Sequence, residues 1–307
     1  MDVAETVDYA RSTYTKFFRG AEWNIGIVRS PIHAFLKPDF KPDIRWLPAP
    51  ERGKFYADPF GIVRDGKLCL LFEEFDYGTG KGVISSVEVD SRTSKPQVAM
   101  DARFHLSYPY VVEHEGDIFC IPETSYAGEV ALYRALEFPT CWAKEVVLLS
   151  NFPGVDSTLF QHEGRWYLTC TNQSAGANSS LFVCHAPNLF GPWKPHASNP
   201  VKMNSRSSRP AGTPFLYNGV LFRPAQDCTD SYGGRVVINR VKKLTPTDFE
   251  EEEAAIIEPF SGSPYPMGVH TISSVGDITL IDGRRNVFIK RAMIAGLRRK
   301  MRRETGD

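Results

Sequence analysis

The stretch ADPFGIVRDGKLCLLFEE (57–74) runs from a polar start through an apolar strand, a turn glycine and a second apolar strand to a polar end. Four further segments repeat that pattern: SYPYVVEHEGDIFCIPET (107–124), VDSTLFQHEGRWYLTCTN (155–172), PAGTPFLYNGVLFRPAQD (210–227) and MGVHTISSVGDITLIDGR (267–284). Their turn glycines, Gly66, Gly116, Gly164, Gly219 and Gly276, are spaced by 50, 48, 55 and 57 residues. Strand-forming runs on either side of such a glycine are hairpins. Units of this length with several short strands predict propeller blades. Five of them fill nearly all of the 307 residues.

Outer strands recur as well: KGVISSVEVD (81–90), GEVALYRAL (128–136), SSLFVCHAP (179–187) and GRVVINRV (234–241). The fifth unit runs short after RNVFIKR (285–291), while WNIGIV (23–28) has no partner near it. A closed ring joins its first and last blades, so the fold predicted is all-β, a five-bladed propeller with residues 23–28 completing the last blade. The domain plan is an extension over 1–22, a propeller over 23–290 and a basic tail over 291–307, with short helices at both termini. In that tail Ile294, Leu297 and Met301 fall at helical spacing among Arg298, Arg299, Lys300, Arg302 and Arg303. Such a segment either lies solvated or touches anionic lipid weakly.

Lys plus Arg and Asp plus Glu both number 36, so no global field favours nucleic acid. Neither a secretory leader nor an apolar run of membrane-spanning length is evident, and the expected location is cytoplasmic, peripheral at the inner membrane if the tail binds lipid. The six cysteines lack zinc or disulfide spacing, and Cys69, Cys120, Cys170 and Cys184 read as core residues of strands.

The first strand of each blade lines the channel, and its leading residues gather at one mouth. Eight residues before the turn glycines stand Asp58, Tyr108, Asp156 and Ala211, and His270 takes that place in the contracted fifth unit. Titratable groups converging from separate blades define the candidate site. Each Asp by itself is equally an ordinary turn residue. Around them lie His105, Tyr108, Arg209, Gln226, Asp227, Tyr232 and His270, types that stack on sugar rings and bond their hydroxyls. Arg209 adds a fixed cation suited to an anionic or phosphate-bearing sugar.

Ala57-Asp58-Pro59 with Asp156 resembles the five-bladed furanosidase propellers of glycoside hydrolase family 43. That resemblance implies Asp58 as general base or nucleophile, Asp156 as the group that positions the acid, and His270 beside a channel metal, with Ca2+ the candidate ion. The family's fourth-blade acidic Glu is missing: Ser208-Arg209-Pro210-Ala211-Gly212 stands there. Glu123, stiffened by Pro122 and sharing a blade with Tyr108, is the substitute acid, ahead of Glu73, Glu74 and Asp227. A closer resemblance spans about residues 45–285. The strings FYADPF (55–60), HLSYP (105–109), IPET (121–124), ALYRALEFP (131–139), SRPAG (208–212), FRPAQD (222–227) and Tyr232-Gly233 look like the propeller domain N-terminal to plant glucosamine inositolphosphorylceramide transferases and its bacterial relatives. It implies a sugar-related context and leaves three readings: a glycosidase or transglycosidase, a glycan- or nucleotide-sugar-binding module serving a glycosyltransferase, or a protein-interaction scaffold.

Overall fold

The computed structural model describes residues 19–89 and 95–288. The chain enters as β1 (Arg19–Val28) and, after a 3-10 turn over Ile32–Leu36, β2 (Ile44–Trp46). Blade one follows as β3 (Lys54–Arg64), β4 (Lys67–Asp76), β5 (Lys81–Glu88) and β6 (Gln97–Met100). Blade two is β7 (Ser107–His114), β8 (Asp117–Glu123), β9 (Glu129–Glu137) and β10 (Cys141–Ser150). Blade three is β11 (Gly154–His162), β12 (Arg165–Asn172) and β13 (Ser180–Ala186), edged by the short strands β14 (Lys194–Pro195) and β15 (Lys202–Met203). Blade four is β16 (Phe215–Tyr217), β17 (Val220–Asp227), β18 (Arg235–Leu244) and β19 (Phe249–Ile257). Blade five begins with β20 (Ile272–Val275) and β21 (Ile278–Phe288), and there the chain's own start returns.

Closure falls where the sequence places it. β1 pairs antiparallel with β21 from Arg19↔Phe288 to Val28↔Thr279, and β2 forms the outer edge. The seam therefore uses the longest paired register available and leaves no open strand between first and last blades. The terminal helices and the basic tail expected from the sequence lie outside the described residues. Among the described residues no helix is long and apolar enough to cross a membrane.

Each inner hairpin turns in two residues. Asp65-Gly66, Glu115-Gly116, Glu163-Gly164 and Asn218-Gly219 all have positive φ at both positions, the turn whose twist matches that of the flanking strands. The fifth turn puts Gly276 first, between Val275 and Ile278, which accounts for one of the two residues by which the count back to His270 is contracted.

Side chains between neighbouring blades form five separate cores. Leu71, Ile84, Leu106 and Cys120 join blades one and two, and Phe119, Ile121, Leu159 and Trp166 join two and three. Tyr167, Val183, Leu221 and Leu244 join three and four; Phe215, Phe222, Ile272 and Ile281 join four and five. Ile25, Ile27, Leu70, Phe72 and Leu280 join five to one, with the N-terminal strand supplying Ile25 and Ile27. Fully buried Ile25 alone contributes about 1.5–3 kcal/mol of transfer free energy. The four cysteines expected in strands are buried and free.

Candidate functional site at the channel mouth

The inner strands of blades one, two and three break register at one place each: between Ala57 and Phe60, Ser107 and Tyr110, and Val155 and Thr158. At each break a non-glycine residue takes a left-handed backbone, Asp58 at φ 52°, Tyr108 at 44° and Asp156 at 52°. Side chains seldom adopt that conformation, and such strain collects at functional sites. The bulge turns each of these side chains out of the strand's alternation and toward the axis.

A second ring faces the first. Seven residues after the turn glycines, on the second strands, stand Glu73, Glu123, Thr171 and Gln226, with Asp282 six residues after Gly276. Glu73 lies opposite Ala57, Glu123 opposite Ser107 and Thr171 opposite Val155. Glu73 was a runner-up to Glu123 for the acid in the sequence analysis, and Asp282 had no place among the expected site residues. Counting forward from the glycines as well as backward would have placed both.

In the fifth blade His270 sits between two carboxylates. Its Nε2 is 3.6 Å from Asp58 Oδ1 and its Nδ1 is 2.5 Å from Asp282 Oδ2, a short but poorly directed contact best regarded as an ion pair. Burial disfavours the charged imidazole, but Asp282 and Asp58 outweigh it and hold the His270 pKa above its ordinary value. Trp23 stacks on the ring at 4.1 Å. Thr271 Oγ1 donates to Asp58 Oδ1 at 2.7 Å, and Asp282 accepts from the amides of His270, Thr271 and Asp58. Burial pushes the Asp58 carboxyl up to about 6 against the pull of His270, with Asp156 and Asp282 adding to the rise.

Asp58, His270 and Asp282 bring their ligand atoms within 4.8 Å of one another, close enough in distance for the channel metal implied by the resemblance. These three side chains are the ones that would hold such an ion, which would displace the imidazole proton. As the groups stand, Asp282 also accepts from three backbone amides and pairs with His270. No chemistry is routed through a metal.

Across the mouth, Asp156 is clamped. Arg209 Nε and Nη2 donate to its two oxygens at 2.6 and 3.3 Å, and Gln226 Nε2 donates at 2.7 Å. Arg209 Nη1 reaches Asn178 Oδ1 at 2.9 Å, and its guanidinium lies 5.0 Å from the Tyr232 ring centre. The loop before Arg209 is gripped in turn by buried Arg223, which donates to the Ser207 carbonyl at 2.6 Å and pairs with Glu251. Lys202 completes that ion network.

Glu123 feels the neighbouring Asp156 charge and accepts a hydrogen bond from Ser125 Oγ at 2.7 Å. Burial, then the neighbouring Asp156, push its carboxyl up to about 8, with Arg209 opposing. Glu73 rises well above the usual carboxylate range through burial and the charges of Asp58, Glu123 and Asp156. His105 stands 3.4 Å from Glu73 through Nε2. Its Nδ1 accepts from the Gly82 amide, and burial lowers its pKa, so it is neutral with the proton on Nε2.

Contacts thus link Asp58, His270, Tyr232, Arg209, Asp156, Gln226 and Glu123 into one cluster, which His105 joins through Glu73; Asp58, Asp156, Glu123, His270 and Gln226 are buried in it. Tyr232 is 43% exposed, yet its hydroxyl is raised by burial and then feels Arg209, Asp58 and Asp156, so the phenol end reaches the mouth. Its loop is fixed by Arg284, which donates to the Tyr232 carbonyl, and by Gly233, where a Cβ would come within 2.6 Å of Trp23.

Other expectations are corrected. Tyr108 offers no face to a ligand: it is wholly buried, its hydroxyl accepting from the Gly212 amide at 2.7 Å and paired with Thr158. It bolts blade two to blades three and four. Asp227 is held by Arg235 and Arg206, away from ligand. Gln226 is fully buried and orients Asp156. Arg209 is engaged rather than free, its Nε and Nη2 donating to Asp156 and its Nη1 to Asn178.

A model of the family described as "Glucosamine inositolphosphorylceramide transferase 1, N-terminal" matches residues 48–261. The chain belongs to that family. It is 36% identical over 252 residues to the glucosamine inositolphosphorylceramide transferase 1 of Arabidopsis thaliana, covering 75% of this chain and 32% of that protein. The Oryza sativa subsp. japonica protein of that name is 35% identical over 205 residues, covering 64% of this chain and 27% of that one. The chain thus spans about a third of the length of these relatives. Among solved structures, the catalytic domain of the Coprinopsis cinerea GH62 α-L-arabinofuranosidase superposes with a TM-score of 0.54 at 12% identity, covering 87% of this chain and 97% of that one. The α-L-arabinofuranosidase of Lactobacillus brevis gives 0.53 at 14% identity, covering 76% and 84%. At these identities the likeness is one of fold.

Proposed function

We propose that this chain is a carbohydrate-active propeller that takes a glycosyl unit into the channel mouth and cleaves or transfers its glycosidic bond. The supporting observation is a pair of buried carboxyls in different environments: Asp58, pushed up to about 6, and Glu123, pushed up to about 8. Between those values Asp58 is a carboxylate and Glu123 a carboxylic acid. Glycosyl chemistry needs that combination.

Glu123 donates its proton to the departing oxygen as the bond from the anomeric carbon to that oxygen breaks. Asp58 takes the proton of the incoming water or acceptor hydroxyl as its oxygen bonds to the same carbon. Asp156, fixed by Arg209 and Gln226, keeps the Glu123 proton in place. Tyr232 and His105 border the sugar.

Arg209 already pairs with Asp156 and His270 with Asp58 and Asp282, so neither cation is left over for an anionic sugar, which favours a neutral or amine-bearing one. The glucosamine in the names of the plant relatives accords with that preference. The clamp on Asp156 also favours a second reading, a glycan-binding module without turnover, because an ion-paired carboxylate is fixed for recognition as readily as for catalysis.

Glycoside turnover by wild type and Asp58→Asn decides between them. Asn tolerates the left-handed backbone and keeps the Thr271 contact, so the variant folds. A loss of about 10²–10⁴-fold supports the catalytic reading. Unchanged turnover removes Asp58 as the base, and binding without turnover by wild type supports the module.

A further inference from the structure

On the reading that the mouth takes a glycosyl unit, we infer that an aromatic shelf over blades one and two is an outer subsite for the next sugar ring of an oligosaccharide. Phe55 and Phe75, cross-strand partners on β3 and β4, stack at 4.9 Å and 12°. Tyr77 stands edge-on to both, at 5.8 and 5.2 Å. His105 lies 5.9 Å from Phe75 and 6.3 Å from Tyr126, which is 76% exposed. The other four are partly exposed, so the rings form an arc open to solvent.

Two links join the arc to the mouth. His105 is the residue against Glu73, and Tyr126 follows Ser125, whose hydroxyl holds Glu123. The remaining sides of the mouth are occupied. Arg209 bridges Asp156 and Asn178 on the blade-three side, and the Tyr232-Gly233 loop is fastened by Arg284 and Trp23 between blades four and five. A chain of sugars with one unit in the mouth extends across blades one and two.

The chemistry of the shelf suits a sugar face. Tyr77 donates its hydroxyl to the Ala21 carbonyl and His105 uses Nδ1 on Gly82, so the arc offers ring faces more than hydrogen bonds. The Lys54–Glu74 and Lys81–Asp101 pairs border it with charge. A pyranose presents the complement, C–H bonds on its face and hydroxyls around its edge.

The test measures affinity of wild type and Tyr126→Ala for methyl glucosaminide, the β-1,4-linked glucosamine disaccharide and octyl glucosaminide, alongside glycoside turnover by Asp58→Asn. Tyr126 is exposed enough for its truncation to leave the fold intact. The disaccharide should bind wild type more tightly than the methyl glycoside. Tyr126→Ala should weaken the disaccharide about three- to tenfold while leaving the methyl glycoside within twofold. Equal effects on both, or none, overturn the subsite while the mouth reading stands. A Tyr126-dependent gain for the octyl glycoside but not the disaccharide also overturns it, in favour of an apolar aglycone. If Asp58→Asn turns over glycosides as wild type does while Tyr126→Ala weakens the disaccharide, the mouth reading fails and the shelf remains. No binding by wild type removes both.

Discussion

The junction of blades three and four and the junction of blades one and two use one repeat to opposite ends. In the former every carboxylate has a cation: Asp156 has Arg209, Glu251 has Arg223 and Lys202, and Asp227 has Arg235 and Arg206. In the latter Glu73 and Glu123 are buried beside other carboxylates, with only a neutral histidine and a serine against them. All of these carboxylates are buried, so the partner decides the charge state. A buried carboxylate with a fixed guanidinium stays ionised and rigid, whereas one surrounded by its own kind keeps its proton. The first arrangement builds a wall; the second stores an acid.

Breaking the clamp is the harshest test of that contrast. Arg209→Met leaves the buried Asp156 charge without its partner, and a loss of about 3–5 kcal/mol in unfolding free energy is expected from denaturant titration. Removing Arg209 also withdraws the group that opposes the rise at Glu123, so the alkaline limb of activity should move to higher pH. A loss below about 1 kcal/mol would show the pair to be ornamental.

The acid side is tested more gently. Activity should rise through about pH 6 as Asp58 ionises and fall through about pH 8 as Glu123 ionises. Glu123→Gln should lower turnover about 10²–10³-fold and erase the fall near pH 8. Retention of that limb in the variant would assign it to another group.

A smaller effect concerns stability. Glu123 binds its proton more tightly folded than unfolded, so above its unfolded pKa the unfolded chain binds fewer protons and stability falls as pH rises toward about 8. The contribution is at most about 1.4 kcal/mol per pH unit. Thermal melts from pH 5 to 8 should show the slope in wild type and a flatter one in Glu123→Gln. Parallel slopes would place the proton elsewhere.

The blade repeat, its hairpin glycines and the returning N-terminal strand were legible because they rest on local rules: alternation of apolar residues, two-residue turns and the need to cover an edge. Asp58, Asp156 and His270 were legible as a shared register within that repeat. Asp282 escaped, and Glu73 ranked no higher than Glu74, because strand-end acids such as Glu74 beside Lys54 belong to ordinary half-exposed pairs. Tyr108 was misjudged for a related reason: its register points it inward, but only the packed ring of blades reveals that Thr158 and the Gly212 amide have already met its hydroxyl.

By itself, then, the chain determined a ring of five hairpin units and which residues would face the axis, since strand periodicity and turn geometry act over a few residues. Tertiary structure alone decided which carboxylates meet a cation. Charge pairing depends on distances between side chains from different blades, such as Arg209 and Asp156, 53 positions apart. On those distances rests which acid keeps its proton.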